Sequence, residues 1–108
     1  MKIFLVRKKS GVEACAEYNV ETKAVTIKKG SKVSEKIAYS EKFRGAYSVE
    51  KYREGVVENG VVIKDITFKS ASTAANFVTG ASTNGLVAWK NEEGESLKSI
   101  INKEDTNE

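Results

Sequence analysis

Residues 66–97 read ITFKSASTAANFVTGASTNGLVAWKNEEGESL, and the spacing of small and apolar side chains here governs the architecture expected of the whole chain. Ala71, Ala74, Ala75 and Val78 recur at i, i+3, i+4 and i+7, which puts them on one stripe of a helix. Ser70 stands where an N-cap hydroxyl accepts an unpaired backbone N–H. Gly80 follows the last periodic residue, where a left-handed stop favours glycine. Alanines on the stripe let the helix backbone lie close to a sheet, while Phe77 and Val78 supply bulk. Beyond the helix, Asn84-Gly85 suits a tight turn with positive φ, and Leu86-Val87-Ala88-Trp89 reads as the strand leaving it. Residues 91–94 form a second turn.

Upstream, residues 3–7 form a β-branched and aromatic run that reads as a strand closed by the basic turn Arg7-Lys8-Lys9-Ser10-Gly11. From Val12, strict alternation places Val12, Ala14, Ala16 and Tyr18 on one face and Glu13, Cys15, Glu17 and Asn19 on the other. Residues 19–23 turn the chain, and Val25 and Ile27 mark a third strand antiparallel to the second. Residues 33–46, with Ile37, Tyr39 and Phe43 spread among charges, read as a loop or irregular helix. Tyr47-Ser48 resembles a hydrophobic staple and N-cap, with Tyr47 packing on Tyr52 and Glu50 in the first turn. Val49, Tyr52 and Val56 mark that helix's buried stripe, and Asn59-Gly60 is expected to end it. Residues 61–68 are β-rich, broken at Lys64-Asp65. Ser96 caps a last short helix through Ile100 and Ile101. These elements predict an α+β fold, a small antiparallel sheet packed by two to three short helices. Residues 1–102 form one domain, and 103–108 are expected to be a disordered polar tail.

Composition narrows the chemistry. With 108 residues, 40% of them hydrophobic, the chain suits one modest core. No apolar run approaches a membrane span and no signal peptide is visible, so a cytoplasmic location without membrane contact is expected. One cysteine and no histidine leave no internal disulfide, no zinc set and no ordinary nucleophile–base pair. Cys15 sits among glutamates, a setting that disfavours a thiolate. No metal, no cofactor and no enzymatic activity are therefore expected. Charge is uneven: residues 1–36 hold nine Lys or Arg against four Glu, and residues 70–108 hold three against six acids. A basic front half can meet phosphates.

The order Phe68, Ser70, Ala74-Ala75, Gly80, Asn84-Gly85, Trp89-Lys90, Gly94 and Leu97 resembles domain of unknown function family 4357. Upstream, Lys29-Gly30-Ser31 looks like that family's K-G-S segment, and Asp65 stands where it often has an acidic residue. Two departures are visible: Ala71 replaces a usual proline and Leu86 a usual tryptophan. The first is mild, since proline at N1 only preorganises a turn that alanine also forms. The second would remove an aromatic platform if that tryptophan touches a ligand. The family is typically appended to GIY-YIG nucleases and restriction or modification enzymes. The resemblance therefore implies a non-enzymatic accessory module that binds DNA or RNA.

The candidate nucleic-acid-binding residues are Lys28, Lys29, Ser31, Lys32, Ser70, Ser72, Asn84 and Lys90. Lysines at 28, 29 and 32 would meet phosphates, although the spacing is not that of a P-loop. Ser70 and Ser72 stand at a helix N-terminus, which can hold an anion, and Asn84 can read a base edge. Each has a plain structural counterpart: a solvated turn for the lysines, a cap for Ser70, a turn for Asn84 and core filling for Trp89. The alternative is a protein-interaction domain whose exposed strand edges accept a partner strand.

Overall fold

A computed structural model describes residues 1–39 and 45–106, with the backbone alone for 103–106. Strands β1 (Lys2–Arg7), β2 (Val12–Tyr18), β3 (Val25–Ile27) and β6 (Ile66–Phe68) form a sheet in the order β1-β2-β3-β6 with every neighbour antiparallel. A separate pair, β4 (Val57–Glu58) and β5 (Val61–Val62), makes a short hairpin. Helices α1 (Ala46–Arg53), α2 (Ala71–Thr79), α3 (Gly85–Ala88) and α4 (Leu97–Thr106) complete the described residues, with a 3-10 turn at Lys8–Ser10. This is the expected α+β fold.

The alternation in β2 holds: Val12, Ala14, Ala16 and Tyr18 are buried and Glu13 and Glu17 are exposed. The buried sheet face meets α2, whose Ala71, Ala74, Ala75 and Val78 all enter the core. Both expected ends of α2 are present. Ser70 Oγ accepts the Thr73 N–H at 3.1 Å, and Gly80 adopts φ +69°. Lys64-Asp65 does separate β5 from β6.

Neither Asn-Gly pair takes its expected role. Asn59 (φ 51°) and Gly60 (φ 76°) form the two-residue turn joining β4 to β5, while α1 has already ended at Arg53. Two successive positive φ angles are what a tight hairpin requires. At Asn84-Gly85 there is no hairpin and no strand over Leu86-Val87-Ala88. Asn84 is extended, its Oδ1 accepts the Leu86 N–H at 3.1 Å, and α3 begins. Asparagine serves as an N-cap as readily as in a turn. Glycine at 85 serves close approach instead of positive φ, because a Cβ there would fall inside the Ala71 carbonyl group.

The staple expected at Tyr47 is absent, because α1 begins after Gly45 and Ser48 lies inside it without a capping role. Tyr47 is 74% exposed and packs on Tyr39 instead, with ring centroids 5.5 Å apart. Tyr52 is not buried either; it meets Phe68 edge-on at 5.2 Å. Ala46 and Val49 form a small cluster with Ile37, separate from the main core. Phe43 lies outside the described residues. The Ser96-capped helix continues past Ile101 to Thr106, through part of the expected tail; residues 107 and 108 lie outside the described residues.

The contact of α3 on α2 gives a stability test. Gly85→Ala forces a methyl into the Ala71 carbonyl and should cost about 3 kcal/mol. Gly94→Ala, at φ +85° with open space around it, should cost only about 1 kcal/mol, from the left-handed backbone. Urea midpoints at unchanged m-value read the difference.

Candidate functional site

Four backbone segments enclose an open groove of about 550 Å³. The 3-10 turn after β1 brings Lys9, Ser10 and Gly11. The irregular segment between β3 and α1 brings residues 32–36, and the β4–β5 turn brings Asn59 and Gly60. Thr79, at the end of α2, lies at the fourth side. Three lysines, Lys9, Lys32 and Lys36, line this groove against one carboxylate, Glu35. Among the described residues Lys9 and Lys36 form no ion pair; Lys32 approaches Glu13 at 3.9 Å with both side chains more than half exposed. Such a pair is worth little in water and leaves the ammonium available.

The wall holding Lys36 is fixed by the needs of the α2 C-terminus. The last carbonyls of a helix have no partner within it. In α2 the Phe77 carbonyl accepts from Arg53 Nε at 3.0 Å and Nη2 at 2.6 Å. The Val78 carbonyl accepts the Ser34 N–H at 2.9 Å, the Thr79 carbonyl accepts from Ser34 Oγ at 2.7 Å, and the Gly80 carbonyl accepts the Ala38 N–H at 2.6 Å. Arg53 Nη1 also donates to the Ser34 carbonyl at 2.7 Å. Burial lowers the Arg53 pKa, yet a guanidinium stays protonated at neutral pH. Segment 34–38 therefore lies clamped against α2, where Gly80 leaves no room for a side chain.

Lys32 is held from both sides. Its N–H and C=O pair with Glu13 at 2.9 and 3.0 Å, while Val62 N–H donates to the Ser31 carbonyl at 2.8 Å. Ser31 itself is buried: its hydroxyl accepts from the Cys15 N–H and donates to the Cys15 carbonyl. Lys28 pairs with Asp65 at 3.2 Å, and the Lys29 N–H donates to the same carboxylate at 2.7 Å. The Lys29 amide and then the Lys28 ammonium hold the Asp65 carboxyl below its ordinary range. The Tyr39 hydroxyl donates to Glu50 Oε2 at 2.7 Å, which raises the phenol pKa.

The eight residues singled out from sequence fall at three places. Lys28, Lys29, Ser31 and Lys32 occupy the exit of β3, and of these Lys32 alone lines the groove. Ser70, Ser72 and Asn84 gather at the α2–α3 junction, where Ser70 caps α2, Asn84 caps α3 and Ser72 Oγ accepts the Gly85 N–H at 3.1 Å. Lys90 lies beyond β1, its backbone pairing both ways with Phe4. Trp89 fills the core and donates its indole N–H to the Ala71 carbonyl at 3.0 Å. Sequence reasoning missed Lys9, Ser34, Lys36 and Arg53 as site residues. A second basic turn with glycine and serine, at residues 7–11, was visible and resembles residues 28–32; nothing local marks Ser34 or Arg53.

Among the described residues no group of three or more His, Cys, Asp or Glu side chains is placed to hold a metal, and no helix is long and apolar enough to cross a membrane.

Three variants test these arrangements. Arg53→Met leaves the Phe77 and Ser34 carbonyls without their donors and should cost about 2 to 3 kcal/mol in urea denaturation. Arg53→Lys should restore only part, because an ammonium lacks the planar fork. For Asp65 the folded-state pKa is depressed, so its contribution is full above the unfolded value near about 3.9 and is lost as pH falls through the folded value. Asp65→Asn should therefore show a flatter fall of stability on the acid side than the parent chain, read from urea midpoints across that range.

A family model described as a domain of unknown function (DUF4357) matches residues 4–101. No curated protein and no solved structure matches the chain.

Proposed function

The chain belongs to the DUF4357 family, and on that footing we propose that it is a non-enzymatic module binding the phosphate backbone of a nucleic acid. One observation carries this reading: Lys9, Lys32 and Lys36 converge on an open groove with a single carboxylate in its lining. Ammonium groups on a concave surface attract successive phosphates and release their counterions. Contacts of this kind hold a strand without reading its sequence. The absence of histidine from the chain supports a binding role over catalysis, because the commonest general base is missing. Alongside a nuclease or a restriction–modification enzyme, such a module would retain DNA or RNA while the partner acts, in the cytoplasm.

The groove narrows the set of working residues. Lys32 stays from the sequence-based set and Lys9 and Lys36 join it, whereas Lys28 and Lys29 lie outside its lining. A protein-binding role has its own supporting feature: Leu86 and Val87 on α3 are 39% and 51% exposed. It enters as the competing outcome.

Fluorescence anisotropy with labelled DNA and RNA, at about 50 and 200 mM salt, tests the reading. Binding should weaken steeply with salt, and Lys9→Gln, Lys32→Gln and Lys36→Gln should each lower the salt slope by about 1. Lys90→Gln, away from the groove, should leave it unchanged. Equal effects at all four lysines would reject the groove as the site. Absence of binding at low salt would favour the protein-partner role.

A further inference from the structure

We propose that the nucleic acid is single-stranded, its unpaired bases stacking on the exposed pair Tyr39 and Tyr47 while the groove lysines hold its phosphates. This rests on the groove being a phosphate site. Tyr39 follows the groove residue Lys36 by three positions, so their Cα atoms lie within about 11 Å. The intervening Ala38 is tied to the Gly80 carbonyl, which keeps the two features in fixed relation.

Packing does not account for the tyrosines. Tyr47 is 74% and Tyr39 54% exposed, and their rings contact each other at 5.5 Å with a tilt of 56°. Tyr39 is nonetheless held, because its hydroxyl donates to Glu50 on α1, and Arg53 ties α1 to α2. A preorganised ring loses little freedom when a base stacks on it. Aromatic platforms beside a basic track are the usual means of holding single strands, because every unpaired base offers a π-face. A duplex keeps those faces stacked inside. The local charge also sets the strand's course: Glu50 and Glu54, with Lys51, line the hollow beside Tyr47. Those carboxylates repel phosphate, so the backbone runs on the Lys36 side.

Anisotropy at low salt compares labelled oligothymidylate of about 16 nucleotides with a duplex of the same length, using the full chain. The single strand should bind more tightly, and Tyr47→Ala should weaken it by about tenfold while leaving duplex binding unchanged. Tyr47→Phe should bind as the parent does. Tyr47→Trp should bind at least as well and report stacking by quenched fluorescence, Trp89 being buried and constant. Circular dichroism confirms that each variant folds. If Tyr47→Ala binds oligothymidylate like the parent, or duplex binds as tightly as single strand, the stacking proposal is overturned, and loss on Lys36→Gln still upholds the groove. If neither strand form binds at low salt, both readings fail.

Discussion

A helix whose C-terminus is buried must find partners for the carbonyls that its own ladder leaves unpaired, and α2, buried from Phe77 to Gly80, imposes that demand on the segments around it. At its C-terminus the carbonyls of Phe77, Val78, Thr79 and Gly80 are taken by Arg53, Ser34 and Ala38. At its N-terminus Ser70 caps the first turn, and the Ala71 carbonyl receives the Trp89 indole N–H. Donors therefore come from α1, from the segment before α1 and from the segment after α3. The elements around the sheet are tied to each other through one helix of nine residues.

The working surface follows from that arrangement. Segment 34–38 has no regular secondary structure, yet its position is set because two of its N–H groups and one hydroxyl complete α2. Lys36 and Tyr39 are consequently carried on a backbone anchored by burial and hydrogen bonds. A mobile loop bearing the same residues would have to be ordered on binding, at an entropic cost of about 1 to 2 kcal/mol per residue. At the start of the same lining segment, Lys32 is fixed by its main-chain pairing with Glu13 of β2 and by the neighbouring contact of Ser31 with Val62 of β5, so the groove is framed by main-chain bonds and decorated by lysines.

The α2–α3 junction shows how small residues set this geometry. Gly85 brings its backbone onto Ala71, Ser72 accepts its N–H, and Trp89 then swings into the core. From Trp89 the chain continues directly to Lys90, which pairs with Phe4 and covers part of the outer edge of β1. That edge is thereby less available to a partner strand. Ser70, Ser72 and Asn84 do internal work here, and a helix end whose hydroxyls already serve the backbone presents less to a ligand.

What could be read from residues alone was whatever repeats or terminates locally: the alternation in β2, the alanine stripe of α2 with Ser70 and Gly80 at its ends, the break at Lys64-Asp65, the cap at Ser96 and the missing histidine. Periodicity and capping are encoded within a few residues, so they survive without knowledge of neighbours. The roles of the two Asn-Gly pairs were not legible, because asparagine is equally competent as a helix cap and in a tight turn, and glycine permits both positive φ and close approach. The choice between them came from the partner each pair meets: β4 folding back on β5 for one, the Ala71 carbonyl, remote in sequence, for the other. Arg53, Ser34 and the convergence of Lys9, Lys32 and Lys36 depend on contacts between segments remote in sequence. No local pattern encodes such contacts, and folding around α2 creates them.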